Sequence, residues 1–210
     1  MASRIIHLAV TDCIAKKYRY KDKNRLELGS VLPDAVTSGN SHLKISILDG
    51  MKKTYDLTGF RSSFLPEMLQ DDLYLGYYLH LVQDLYFRDF VYNRYHWNPL
   101  PPGNIDRLHR DYALINQYVI HKYALSNTIT VPVSFDEEPI NKLGRFSIGE
   151  FLAGMETDFQ SRPAGTAFFF TKEMADEFIA YACGACEQEI DSLFSGSGCL
   201  DEKTMAWRRR

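Results

Sequence analysis

Between Tyr74 and Phe90 the chain is apolar or aromatic at nearly every position, yet this stretch carries His80 and Asp84 four residues apart. A segment hydrophobic all round belongs inside a protein, so it predicts a central helix with other helices packed about it. The i to i+4 spacing puts both polar side chains on one face, within reach of a single metal ion. Burying an imidazole and a carboxylate without partners is costly, so a fold built round this helix has to satisfy them.

The 210 residues suffice for one well-buried core, and a single helical domain over residues 1–210 is the expectation. A hydrophobic share of 45% with 24% charged residues is that of an ordinary globular protein. Nucleic-acid binding and membrane-surface binding both need a basic face, and a net charge of −3 argues against each. No run approaches the roughly 18 apolar residues of a membrane span, so no stable membrane anchoring is expected. The N-terminal stretch lacks the long apolar core of a signal peptide, which makes a cytoplasmic location the expectation. Cys13, Cys183, Cys186 and Cys199 then read as reduced thiols. The pair Cys183 and Cys186 has redox-motif spacing but falls in mid-helix, where small core residues are the better reading.

Apolar periodicity predicts a first helix from Arg4 to Tyr18, with Ile6, Val10 and Ile14 sharing a face with His7. Asn24 is the expected cap of a second helix through Val31 and Leu32, which Pro33 ends so that Asp34 sits at the turn. Residues 37–41 read as a turn-rich loop delivering His42, and Lys44 to Tyr55 as mixed loop and short helix. The central helix is expected from Glu67 to Tyr95, stopped by Pro99, Pro101 and Pro102. Another is expected from Asp106 to Tyr123. Thr128 to Phe135 resembles an extended or edge-strand connection, within an irregular stretch from Ser126 to Lys142. A shorter helix follows from Phe146 to Phe159, and a long one is capped by Thr171 and stopped by Gly196. A frayed basic tail, Arg208 to Arg210, closes the chain.

Six polar residues fall on otherwise buried faces or beside them: His7, Asp34, His42, His80, Asp84 and Asp111. A single histidine on an apolar face is most often a hydrogen-bonded core residue. Six positions on four or five helical segments are a different matter, because packing those helices brings the polar faces together. Three histidines with several carboxylates is the ligand mix of zinc or a similar divalent ion with a position left for water.

The order Leu28-Gly29-Ser30-Val31-Leu32-Pro33-Asp34, then His42, then Gly76-Tyr77-Tyr78-Leu79-His80 with Asp84, resembles the zinc-dependent phospholipase C family and its relatives among single-strand-specific zinc nucleases. The likeness covers roughly residues 4 to 123. It implies an all-α multi-helix bundle of the phospholipase C type, here with a partly irregular C-terminal part. It also implies a metal-dependent hydrolase of phosphate esters. Carried over residue by residue, it makes Asp34, His42, His80 and Asp84 ligands of one zinc, and Asp84 a bridge to a second ion that His7 also holds. Members with three metals have further histidines and a glutamate after the central helix, a pattern not found here. His109 and Asp111 lie in that region, but Ala113 stands four residues after His109. Asp111 shares the face of Leu108, Tyr112 and Ile115 and is the better candidate. Secreted members also use a mature N-terminal amine as ligand, and this chain shows no processing signal for one. One or two zinc ions are therefore expected.

If the site is catalytic, metal-activated water attacks phosphorus in a small phosphorylated substrate. Asp34, at a chain turn, then serves as ligand and general base, and Arg88, one turn past Asp84, binds a phosphate oxygen or pairs with a neighbouring carboxylate. The rival reading is a structural metal pinning helices in a binding or scaffold protein. A helical phosphohydrolase built on an adjacent His-Asp pair ranks lower, since no such dipeptide occurs in the chain.

Overall fold

Ser3 starts the first helix, α1 (Arg4–Ala15), by accepting the Ile6 N–H at 3.3 Å, one of the donors a helix start leaves unpaired. The computed structural model describes residues 2–208. One face of α1 buries Ile6, Val10 and Ile14 together with His7, and the helix ends at Ala15 rather than Tyr18. Helix α2 (Lys23–Val31) is capped by Asp22, which accepts the Arg25 N–H at 3.1 Å, and not by Asn24. Asn24 instead ties down a distant loop, exchanging hydrogen bonds of 2.9 and 2.7 Å with the Thr130 backbone. Pro33 acts as expected: a tight 3-10 turn, Leu32–Ala35, follows α2 and carries Asp34.

The next stretch departs from the sequence reading. Val36–Gly39 forms strand β1, and the segment expected as loop and short helix is a hairpin of β2 (Lys44–Ile47) and β3 (Lys52–Tyr55). Its turn takes positive φ at Leu48, Asp49 and Gly50, the last being the residue that adopts this geometry without strain. Only Ile45 and Ile47 alternate as apolar residues in β2, which is why its period of two was hard to see.

The long helix expected from Glu67 to Tyr95 is also divided. Helix α3 (Leu57–Met68) ends before Asp71, whose carboxylate accepts the Leu73 N–H at 2.9 Å and starts α4 (Asp72–Arg88) afresh. A wider π-helical turn, Asp89–Arg94, then leads to the prolines. As its composition predicts, α4 is buried nearly all round, packed against α2, α3 and α7 (Lys172–Ser195) and touching α1.

Contact between α2 and α4 is backbone to backbone. A Cβ added at Gly29 would lie 2.1 Å from the Leu73 carbonyl oxygen, and one at Gly76 would lie 2.2 Å from that of Leu26. No side chain fits at either position, so the two glycines set how closely the helices cross.

Helix α5 (Asn104–Tyr123) buries Leu108, Tyr112, Ile115 and Val119. The stretch expected as an extended or edge-strand connection forms no strand and runs irregularly into two 3-10 turns, Phe135–Glu137 and Pro139–Leu143. Strand β4 (Gly144–Phe146) pairs antiparallel with β1, and the Ser147 N–H donates to the Ala35 carbonyl at 2.9 Å, bracing the Asp34 turn from the far half of the chain. Helix α6 (Ile148–Gln160) follows. Thr171 and Gly196 bound α7 as the sequence predicts, Gly196 with φ of 74°. Strand β5 (Trp207–Arg208) completes a three-stranded antiparallel sheet in the order β2-β3-β5. Arg208 is thus paired rather than frayed; Arg209 and Arg210 of that tail lie outside the described residues.

The chain is mostly helical with a few short strands, and one continuous apolar core links its helices. All four cysteines are free thiols. Among the described residues no helix is long and apolar enough to cross a membrane.

Candidate metal centre

Four parts of the chain deliver five side chains to one place. Helix α1 brings His7, the turn after α2 brings Asp34, the loop after β1 brings His42, and α4 brings His80 with Asp84. Two overlapping triads, His7–Asp34–His80 and His42–His80–Asp84, each have ligand atoms within 4.8 Å of one another. The His7 and His80 rings stack with centroids 4.0 Å apart, and His42 meets His80 edge-on at 5.2 Å. His7, His80 and Asp84 are fully buried; only Asp34, with 14% of its side chain exposed, and His42 meet solvent.

Each ring is oriented through its Nδ1. His80 Nδ1 donates to the Ser30 carbonyl at 2.8 Å, and His7 Nδ1 donates to Gln83 Oε1 at 2.9 Å. The Ser41 hydroxyl donates to the Pro33 carbonyl at 2.8 Å, so its oxygen accepts from His42 Nδ1 at 3.0 Å. Neutral imidazole carries one N–H, so these bonds leave all three Nε2 atoms as acceptors. The Ser30 carbonyl is in place because Gly29 and Gly76 let α2 and α4 touch.

The lone pairs converge. His42 Nε2 and His80 Nε2 lie 3.3 Å apart. Asp34 Oδ1 is 3.2 Å from the first and 3.9 Å from the second, and Asp84 Oδ2 is 3.6 and 3.9 Å from the same two atoms. Asp84 Oδ1 turns the other way, 3.5 Å from His7 Nε2, and accepts the Ala2 N–H at 3.1 Å. His7 Nε2 and Asp34 Oδ1 are buried with no hydrogen-bond partner among the described residues. Acceptors gathered this closely without a donor repel one another, and a divalent cation among them removes the penalty. Orientation of ligand imidazoles through the second ring nitrogen is what metal sites use.

Electrostatics fit the same use. Burial, helped by the charge of His7, pushes the His80 imidazole down to about 3, which keeps its Nε2 lone pair free at neutral pH. Burial alone would raise Asp34 and Asp84. Instead the histidines hold Asp34 below the ordinary carboxylate range, and nearby positive charge with the His7 contact holds Asp84 well below it. Against burial, Asp84 raises His7, so His7 is the ring at which a proton and a metal ion compete.

One face of the β2-β3-β5 sheet lies beside the cluster. Tyr55 is buried there, its hydroxyl 3.4 Å from Asp84 Oδ2, and it accepts a 2.7 Å hydrogen bond from Arg88 Nε. The Arg88 guanidinium stacks over Trp207 at 4.2 Å. Arg88, expected at a phosphate oxygen, therefore reaches the cluster through Tyr55. The Lys44 ammonium is held below its usual value, by burial of part of its stem and by Arg88, while Asp84 and Asp34 act in the opposite sense.

Asp111 is not brought into the cluster. Both of its oxygens are occupied by backbone donors, Phe168 N–H at 2.7 Å on one, and Phe169 N–H at 2.7 Å with Phe170 N–H at 2.9 Å on the other. It fastens the chain leading into α7 and is absent from both ligand triads. His109 is exposed, as its turn away from Leu108 predicts. Two open clefts of about 470 and 550 Å³ lie elsewhere, and none of the five clustered residues lines either.

Sequence reasoning missed Gln83, Ser41 and Tyr55. Gln83 precedes Asp84 and Ser41 precedes His42, so adjacency to a ligand was the available signal. Tyr55 had none, because its strand was not recognised. Comparison with protein-family models, curated proteins and solved structures finds no match to this chain.

Proposed function

We propose that His7, Asp34, His42, His80 and Asp84 bind one or two divalent transition-metal ions, zinc by their chemistry, and that the protein hydrolyses a phosphate ester of a small substrate. The observation that carries this reading is the convergence of three imidazole Nε2 atoms and the carboxylate oxygens, with His7 Nε2 and Asp34 Oδ1 buried and unpartnered among the described residues. Imidazole with carboxylate is zinc's ligand chemistry. Asp34, His42, His80 and Asp84 Oδ2 would hold one ion, and Asp84 Oδ1 with His7 a second. The resemblance of residues 28–34, His42 and 76–84 to zinc-dependent phospholipase C supports the hydrolase assignment.

A divalent ion held by these residues would supply a nucleophilic water near neutral pH and would stabilise charge on a phosphoryl oxygen. The protein's own residues do the rest. Asp34, at the solvent edge of the cluster, takes up the proton released in the attack. Ser30, Ser41 and Gln83 hold the rings in one tautomer. Tyr55, donating to Asp84 and clamped by Arg88, keeps that carboxylate turned toward both sets of rings.

One observation favours a second reading: His7, His80 and Asp84 have no solvent exposure, as expected of a closed structural zinc site. Elemental analysis after gentle purification, followed by zinc titration, tests what both share; no bound metal and no uptake would sink both. Activity on a chromogenic phosphate ester, tried as diester and as monoester, and lost in a folded His80→Ala protein, decides for the enzyme. Unfolding on chelation, without activity in the zinc-loaded protein, decides for the structural metal.

A further inference from the structure

The register of the β2-β3-β5 sheet puts a row of cations beside the cluster. Residues directly opposite in an antiparallel ladder project on the same side, and alternate residues share a face. Tyr55, which reaches Asp84, stands opposite Lys44; two residues back, Lys53 stands opposite both Ser46 and Trp207. Lys44, Lys53, Tyr55 and Trp207 therefore share the face that meets the metal ligands. Contact between the Tyr55 and Trp207 rings at 5.0 Å agrees with that assignment. Arg88 of α4 lies against the same two rings.

Among the described residues, none of Lys44, Lys53 and Arg88 has a salt bridge that neutralises it. Two of the three are lysines, Lys44 with an exposed side chain and Lys53 half-buried, whose mobile ammonium groups can reach an incoming anion. Asp34 and Asp84 bring two negative charges to the cluster, which one divalent ion already cancels. The neighbouring cations then stand over a site of zero or positive charge, in a protein whose overall charge is −3. Unpaired cations of one sign around a metal-ligand cluster attract and orient an anionic ligand.

We infer that Lys44 and Lys53 form the anion-recognition wall of this site and that its substrate class is the phosphomonoester or polyphosphate, carrying at least two negative charges, in preference to the singly charged phosphodiester. The inference rests on the metal-hydrolase reading above. Arg88 belongs to the same wall through Tyr55, holding its shape, while the two lysines meet the ligand directly.

Calorimetric titration of inorganic phosphate and of dimethyl phosphate into the zinc-loaded full-length protein tests it. The same titrations are run on a Lys44→Gln/Lys53→Gln variant, with zinc content measured on both proteins. Wild-type protein should bind phosphate more tightly than dimethyl phosphate. The variant should lose about ten-fold or more of its phosphate affinity, and most of the preference, at unchanged zinc content. Equal phosphate affinity in the two proteins, or a wild type that does not favour phosphate over the diester, overturns the lysine wall and leaves the metal reading standing. Failure of the wild type to take up zinc overturns both together.

Discussion

His42 Nε2 and His80 Nε2 face each other at 3.3 Å, and each ring has already committed its N–H elsewhere. Two acceptors held at hydrogen-bond distance with no proton between them form a receptor for a cation. Replacing either by Ala should lower zinc affinity by a hundred-fold or so while leaving the helical circular dichroism intact. Competition against a chromogenic chelator measures it; wild-type affinity in both variants would show that the pair is not a ligand pair.

Asp84 turns one oxygen toward His7 and the other toward His42 and His80. Asp84→Asn should therefore weaken the binding of two ions, while His80→Ala chiefly removes one. Mass spectrometry of the zinc-loaded proteins under native conditions gives the counts. Equal losses in the two variants would contradict this division.

Asp111 makes three backbone hydrogen bonds ahead of α7 and none to the cluster. Asp111→Ala should cost about 1–3 kcal/mol of stability, the expected price of leaving buried N–H groups unpaired. Its zinc stoichiometry should equal that of the wild type. A drop in bound zinc with unchanged stability would return Asp111 to the list of ligands.

Gly76→Ala would drive a methyl group into the Leu26 carbonyl, where the nearest atom is backbone and has little room to yield. A loss of about 2–3 kcal/mol or more is expected, along with weaker zinc binding, since the Ser30 carbonyl that orients His80 moves with α2. Chemical denaturation and zinc titration read the two effects, and a variant with wild-type values in both would mean that the crossing is looser than described.

Acid should destabilise the metal-free protein through His80. Its folded value lies at about 3, below the ordinary 6.5, so between those limits the unfolded chain binds the extra proton and stability rises with pH. His7 is raised, so its contribution is complete below 6.5 and fades only as pH climbs through its folded value. The two windows do not overlap. Asp34 and Asp84, both lowered, add to the acid loss only below about 3.8. In the presence of chelator, the gain in denaturation midpoint between pH 4.5 and 7 should shrink in His80→Leu; an unchanged gain would assign that window to other groups.

How much of this was legible in the sequence follows from which forces write themselves into local pattern. The all-round apolar character of α4, the cap at Thr171 and the stop at Gly196 all depend on near neighbours in sequence. The hairpin does not show, because β2 offers only Ile45 and Ile47 as alternating apolar residues and β3 only Tyr55, too few to mark a half-buried strand. The central helix reads as too long because its apolar character runs on across the break, although the Asp71 cap that restarts it is a local signal. Five of the six expected ligands meet because α1, α4, the turn after α2 and the loop after β1 pack together. Asp111 has the right kind of face, but its carboxylate is taken up by the N–H groups of residues 168–170, a distinction that periodicity does not carry.

Two of the three histidines owe their orientation to main-chain carbonyls, His80 directly to Ser30 and His42 through Ser41 to Pro33. A carbonyl survives any substitution at its own residue. Systematic alanine scanning would flag Gln83 and Ser41, yet record nothing informative about the oxygens at positions 30 and 33. Those supports are addressable only by moving the backbone. In a mutational map of this protein, the two glycines should therefore score like ligands despite having no side chain to offer.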